Sequence, residues 1–176
     1  MSTKGVIIQA SSRSKGNTHK IVSFFQQQTG FDFIDLKTKK IAHFDYEFKN
    51  SDDDFNKLFK EIAAKYDTIV FATPIYWYTM SGILKVFLDR ISDFLFHEKE
   101  FGRMLREKEM VVISCGSEDQ VFKGFTMPFL ESANYLGMHF LGHIHTWIEK
   151  DVISEIAKNR INEFISTQLI IKRINN

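Results

Sequence analysis

The stretch that decides the fold is VIIQASSRSKGNT, residues 6–18. Its first part is apolar, as in a buried strand, and its second part is a polar loop. Ile21, Phe24 and Phe25 follow at spacings of three and four, which indicates an amphipathic helix. Strand, loop and helix start thus follow one another directly, as at the first turn of a β-α-β unit.

The loop carries many hydrogen-bond donors. The first N–H groups of a helix have no partner within it, and the helix dipole favours negative charge there. Side-chain donors are added by Ser11, Ser12, Ser14, Asn17 and Thr18. Neither GxxxxGK[ST] nor GxGxxG is present, so the loop predicts a site for one phosphate monoester, with Arg13 as a further donor. The alternative is a plain turn in which an Asn or Thr caps the helix.

The length, charge and cysteine content of the chain argue against several kinds of partner and site. The chain has 176 residues, enough for one domain with a sizeable core, and we expect residues 1–176 to form a single domain. The net charge of +1 argues against nucleic-acid and anionic-membrane partners. Cys115 is the single cysteine, so no intrachain disulfide or multi-cysteine metal site can form. No apolar run approaches the ~20 residues of a membrane span, and no signal peptide is evident, so we expect a cytoplasmic protein.

Strand-like and helix-like segments alternate along the chain. Strands are predicted at residues 5–10, 31–36, 67–73, 110–115 and 138–148. Helices are predicted at residues 17–29, after an N-cap at Ser51, from Ile83 onward, at 126–135, and after an N-cap at Ser154. Five strands alternating with five helices predict a parallel sheet covered on both faces, with ligands at the carboxyl ends of the strands.

Two further loops follow predicted strands. Tyr76, Trp77 and Tyr78 come together after the third strand, and exposed aromatic rings are costly without a partner. A flat heteroaromatic ligand would stack on them; the alternative is packing on a neighbouring helix or a second subunit. After the fourth strand, Cys115 and Gly116 lead into Ser117, and the glycine permits a close backbone approach to a ligand. Alone, this third loop is equally consistent with a simple connection.

Two motifs carry a family resemblance: SSRSKGNT at residues 11–18 and TPIYWYTMSGILKVFLDR at residues 73–90. They resemble the flavodoxin-like, FMN-dependent NAD(P)H oxidoreductases. The resemblance implies an α/β fold, a three-layer α/β/α sandwich with a five-stranded parallel sheet in the order 2-1-3-4-5. Relatives commonly have glycine where Ala10 stands, and the cysteine cluster of the iron–sulfur members is missing.

The resemblance also implies site residues. The FMN phosphate would be held by Ser11, Arg13, Gly16, Asn17 and Thr18. The isoalloxazine ring would be lined by Pro74, Ile75, Tyr76, Trp77 and Tyr78, with Ser81 and Gly82 shaping the loop exit. The pyrimidine side of the ring would be approached by Cys115, Gly116 and Ser117.

The implied activity is hydride transfer from NAD(P)H through FMN to a small-molecule acceptor: a quinone, a nitro or azo compound, or a free flavin. The flavin carries this chemistry, so no catalytic acid or base is assigned. A homodimer with the flavin near its interface is expected. Two alternatives stay open: an electron-carrier flavodoxin, which the near-neutral charge disfavours, and a fold relative that binds another phosphate, which the aromatic triplet disfavours.

Three other features have simpler explanations. His143 and His145 alternate along a strand and could both face one metal, but a packed or solvated pair is the preferred interpretation. Cys115 could be a redox nucleophile, but a thiol buried at a strand end is usually inert. Residues 99–109 are highly charged and predict a solvated segment.

Overall fold

The computed structural model describes residues 4–170, and its sheet contains six strands in the order β2-β1-β3-β4-β5-β6. The strands are β1 (Gly5–Gln9), β2 (Asp32–Asp35), β3 (Thr68–Pro74), β4 (Glu109–Gly116), β5 (His139–Glu149) and β6 (Val152–Ile153). The first five are parallel, which confirms the predicted order 2-1-3-4-5. The expected count of five was wrong, because β6 adds an antiparallel pair that is too short to show a periodic signal.

The helices are α1 (Asn17–Thr29), α2 (Asp54–Lys65), α3 (Gly82–Phe96), α4 (Lys99–Arg103), α5 (Met127–Leu136) and α6 (Glu155–Phe164). A 3₁₀ turn follows β2 at Leu36–Thr38, and a π-helical turn follows α6 at Ile165–Ile170. In the described part of the chain, no helix is long and apolar enough to cross a membrane. The prediction of a single domain over residues 1–176 stays a prediction.

Two apolar cores lie on opposite faces of the sheet. Alternation along β1 sends Val6 and Ile8 to one face and Ile7 to the other, as a period of two requires. The Val6 face is covered mainly by α2, α3 and α5, whereas the Ile7 face is covered by α1 and α6. This arrangement is the predicted three-layer α/β/α sandwich.

Two predictions outside the sheet were wrong. Ser51 does not cap α2: the N-cap is Asp53, whose carboxylate accepts the Phe55 N–H at 2.8 Å. The segment of residues 99–109 is not simply solvated, because it contains α4 and places Leu105 in the core with 2% of its surface exposed. Both outcomes depend on tertiary contacts that local sequence does not reveal.

A buried arginine binds the backbone of the long connection between β2 and α2. Arg90 of α3 is 1% exposed, and its guanidinium donates to the carbonyls of Ala42 and Asn50 at 3.1 and 3.0 Å. It also pairs with the carboxylates of Asp53 and Asp93 at 2.5 and 2.7 Å. The guanidinium lowers the pKa of Asp53, with help from backbone N–H donors and against the opposing effect of burial. Arg90 thus helps to hold the carboxylate of Asp53, the N-cap of α2.

Candidate functional site

The sheet order brings three loops to one edge. β3 lies between β1 and β4, so the loops that leave the carboxyl ends of these strands are neighbours. The Ala10 N–H donates to the carbonyl of Ala72 at 2.8 Å, and the Ile75 N–H donates to the carbonyl of Cys115 at 3.0 Å. The three polar or aromatic loops at residues 11–18, 74–82 and 115–119 therefore converge, as the sequence predicted.

The first loop ends in an open helix N-terminus. The N-cap of α1 is Gly16, so the alternative in which an Asn or Thr caps the helix is wrong. Within residues 4–170, no side chain makes a capping hydrogen bond to the first turn of α1, and that turn holds no acidic residue. Asn17 and Thr18 begin the helix, Ser11 is buried beneath the loop, and Arg13 is exposed. An uncapped N-terminus surrounded by donors fits a phosphate.

A buried amide supports this loop from below. Gln9 ends β1 with no exposed surface, and its Nε2 donates to the carbonyl of Ser14 at 3.0 Å. Its Oε1 lies 3.2 Å from Nδ1 of His19, in the first turn of α1. The sequence analysis did not identify Gln9. Its signal was a polar residue at the end of an otherwise apolar strand.

The second loop is a tight turn that displays the aromatic residues. Tyr76 and Thr79 exchange two backbone hydrogen bonds of 3.0 and 3.1 Å, while Trp77 and Tyr78 between them have φ of 48° and 67°. Positive φ at both central residues defines a type I′ turn, which usually contains Asn-Gly. Large side chains in this conformation are strained, and such strain tends to occur at functional sites.

The rings of this turn lie largely in solvent. Trp77 is 91% exposed and Tyr78 is 62% exposed, so the alternative of packing on a helix of the same chain is wrong for them. Tyr76 joins the first two loops, since its hydroxyl lies 2.7 Å from Oγ of Ser12. Ser81 ties the loop exit to β1 by donating to the carbonyl of Ala10 at 2.7 Å while accepting the Leu84 N–H.

A cleft of about 270 Å³ separates the second loop from the third. It is lined by Ile75, Trp77, Tyr78, Gly116, Ser117, Glu118, Gln120 and Phe122. The ring of Tyr78 meets that of Phe122 edge to face, with centroids 4.7 Å apart. A planar ring system placed here would contact aromatic side chains on one side and backbone on the other.

Two predicted site residues lie beneath the cleft. Pro74 is the last residue of β3, and Cys115 is buried in β4, where the two are register partners. Burial raises the pKa of the Cys115 thiol to about 11, partly offset by a hydrogen bond from Thr18. The thiol is therefore protonated near neutral pH and is a poor nucleophile. These residues can contribute backbone to the site but little side-chain chemistry.

The two histidines of β5 form a packed pair. Both reach Oγ of Ser114, from Nε2 of His143 at 2.7 Å and from Nδ1 of His145 at 2.9 Å. Burial lowers the pKa of His143 to about 4. Among the residues that the structure describes, no three His, Cys, Asp or Glu side chains are grouped to hold a metal ion.

Comparisons with known proteins identify the family. The model of the NADPH-dependent FMN reductase family matches residues 3–152. YwqN of Bacillus subtilis, named as an NAD(P)H-dependent FMN-containing oxidoreductase, is 30% identical over 153 residues, 80% of this chain and 83% of that protein.

Solved structures give the same fold. The Trp repressor binding protein of Bacillus subtilis superposes with a TM-score of 0.73 at 25% identity, over 94% of this chain and 97% of that one. An FMN-dependent NADH-azoreductase from Bacillus anthracis, solved with FMN, superposes with a TM-score of 0.66 over 99% and 100% of the two chains. At 14% identity, the latter shows the fold alone.

Proposed function

Since this chain belongs to the NADPH-dependent FMN reductase family and is an FMN-containing, NAD(P)H-dependent oxidoreductase, we propose that the three convergent loops hold its FMN. We also propose that the acceptor is a small oxidant: a quinone, a nitro or azo compound, or a free flavin. Family membership favours this enzymatic function over that of an electron-carrier flavodoxin.

The phosphate end of the site is the N-terminus of α1. The backbone N–H groups of Asn17 and Thr18 and the side chains of Ser11 and Arg13 are the proposed phosphate donors, whereas the hydroxyl of Thr18 is bonded to Cys115. Gly16, the N-cap, has no side chain that could cover these donors. A Cβ there would lie 3.3 Å from Cβ and Nε of Arg13. Helix dipole and cation both favour a dianion at this point.

The ring end is the cleft between the second and third loops. Ile75, Trp77 and Tyr78 line the cleft and are the proposed side-chain contacts, and Gly116 and Ser117 are proposed to offer backbone. Tyr76 does not line the cleft; its hydroxyl lies beside Ser12, and we propose that it contacts the flavin from that side. Pro74 and Cys115 are proposed to act only through the backbone that carries these loops. FMN held by these loops would supply the hydride chemistry that links NAD(P)H to the acceptor. The exposed aromatic turn leaves a side of the cleft accessible to both substrates.

The observation that carries this proposal is the uncapped N-terminus of α1 beside the aromatic cleft. We would test it with Gly16→Asp and the neutral control Gly16→Asn. Both are good N-cap residues with the same shape, and their Cβ meets the same neighbours. Only Asp places a carboxylate where the phosphate would bind.

FMN should bind Gly16→Asp at least tenfold more weakly than Gly16→Asn, because two anions would compete for the same donors. Riboflavin, which lacks the phosphate, should bind the two variants with similar affinity. Equal affinity of the two variants for FMN would contradict the phosphate assignment.

A homodimer is proposed on separate grounds. Several large apolar side chains of the described residues are exposed, among them Trp77 at 91% and Met127 and Tyr135 of α5 at 57% and 79%. Exposed apolar surface of this kind can be buried between two subunits. Light scattering should give twice the chain mass, and a monomeric mass would refute the dimer. We further propose a cytoplasmic location, where NAD(P)H is available, to be tested by cell fractionation.

A further inference from the structure

A continuous chain of hydrogen bonds lies behind the third loop, outside the residues assigned to FMN. Oγ1 of Thr126 lies 3.3 Å from Nδ1 of His143, whose Nε2 lies 2.7 Å from Oγ of Ser114. The same Oγ lies 2.9 Å from Nδ1 of His145, whose Nε2 lies 2.9 Å from the carbonyl oxygen of Glu118. Side chains from β4 and β5 thereby reach the backbone of the loop.

The contact to Glu118 sets the direction of the other hydrogen bonds when the ring of His145 is neutral. A carbonyl oxygen can only accept, so Nε2 of His145 carries the hydrogen, and in the neutral ring Nδ1 is the acceptor. The Ser114 hydroxyl must then donate to His145 and accept from Nε2 of His143. Nδ1 of His143 in turn accepts from Thr126. Each donor has an acceptor, and both rings take the Nε2–H tautomer.

The ring of His145 is also fitted closely beneath the loop. His145 is 4% exposed, and its ring is held from both sides by the bonds to Ser114 and Glu118. A Cβ at Gly116 would come within 2.8 Å of its Cε1, too close for any real side chain. Because Gly116 has no side chain, the backbone of residues 116–118 can lie directly against the imidazole of His145.

We propose that His145, aligned by Ser114 and His143, is a positioning residue that fixes the backbone of residues 116–118 where the flavin ring is bound. It acts on FMN only through that backbone and is not a catalytic residue. The inference rests on the proposed function, since it assumes that the third loop contacts the ring. A second tie, from Asp119 to Arg160 at 2.6 Å, lies at the surface and holds the loop further along.

The chain of hydrogen bonds from Thr126 to Glu118 can be tested without flavin. Long-range ¹⁵N–¹H spectra of the FMN-free protein should show a hydrogen on Nε2, and none on Nδ1, of both His143 and His145. An Nδ1–H tautomer at either residue would overturn the inferred direction, and with it the role of His145.

The positioning role is tested by His145→Gln and His145→Asn. The longer amide reaches the position of Nε2 and can still donate to the Glu118 carbonyl, whereas the shorter one cannot. We expect His145→Asn to bind both FMN and riboflavin about tenfold more weakly than wild type, by the same factor, and His145→Gln to recover most of the affinity. The visible circular dichroism of bound FMN should change with His145→Asn and be restored with His145→Gln.

His139→Asn is the control, because His139 lies on the same strand but is exposed and pairs with Glu107; flavin binding should be unchanged. Urea unfolding verifies that each variant is folded in the assay. Wild-type affinity and dichroism in His145→Asn, or equal losses in the Asn and Gln variants, would overturn the inference. A wild-type protein that binds neither flavin would overturn the proposed function as well, which distinguishes the two failures.

Discussion

Replacing the strained aromatic turn should stabilise the protein while weakening its function. Trp77 and Tyr78 occupy the left-handed region at φ 48° and 67°, at a cost of about 1 kcal/mol each for residues with a side chain. Trp77→Asn combined with Tyr78→Gly supplies the sequence that type I′ turns prefer. Trp77 is 91% exposed, so its removal loses little packing.

The magnitude follows from two opposing effects. Relief of strain at two residues is worth about 2 kcal/mol, and loss of the edge-to-face contact between Tyr78 and Phe122 costs about 0.5 kcal/mol. The net gain of about 1.5 kcal/mol corresponds to a rise in Tm of roughly 4 °C for a chain of this size. Urea and thermal unfolding without FMN measure it, and fluorescence titration should show FMN affinity reduced at least tenfold.

The chain contains a matched control. Lys150 and Asp151, between β5 and β6, have φ of 45° and 72°, the same turn geometry remote from the aromatic loop. Lys150→Asn with Asp151→Gly should also stabilise the protein, less the small contribution of the exposed Lys20–Asp151 pair, and should leave FMN affinity unchanged. If the control is stabilised but the aromatic-turn variant is less stable than wild type, the strain argument is refuted.

Two further predictions concern stability. Arg90→Met removes a buried cation from two partly buried carboxylates and should lower the free energy of unfolding by about 3 kcal/mol. Adding Asp53→Asn should recover part of this loss, and additive losses in urea unfolding would contradict the coupling. The pKa of His143 is about 4 in the folded protein against 6.5 ordinarily, so the unfolded state binds more protons between these values. Stability should fall by up to about 3 kcal/mol as the pH drops from 6.5 to 4. His143→Asn should flatten that part of the profile, and an unchanged slope would argue against the shift.

Much of the fold was predictable because its signals are local. Apolar runs such as residues 68–72 predict buried strands, and Gly30 predicts the end of α1, where it indeed takes the left-handed conformation. β6 was missed because two residues carry no period. Asp53 was passed over for Ser51 because Ser and Asp are equally good N-cap residues, and because Arg90, which pairs with Asp53, lies 37 residues further along the chain.

The site was predictable only as three loops. Strand order places them together, and residue types such as the aromatic triplet suggest their ligand. The supports beneath them were not predictable: Gln9 holds Ser14 within one loop, but His145 meets Glu118 only because β4 and β5 pair in a particular register. That register includes an irregularity between Met110 and Val111, after which the partners of β4 on β5 are shifted. No local sequence pattern predicts this shift.

The most direct test of the central claim is the visible spectrum of the protein after it is mixed with FMN and freed of excess by gel filtration. We expect one retained FMN per chain, whose flavin bands are bleached when NADPH or NADH is added without oxygen. Protein that emerges without flavin, or with flavin that neither nucleotide bleaches, would contradict it.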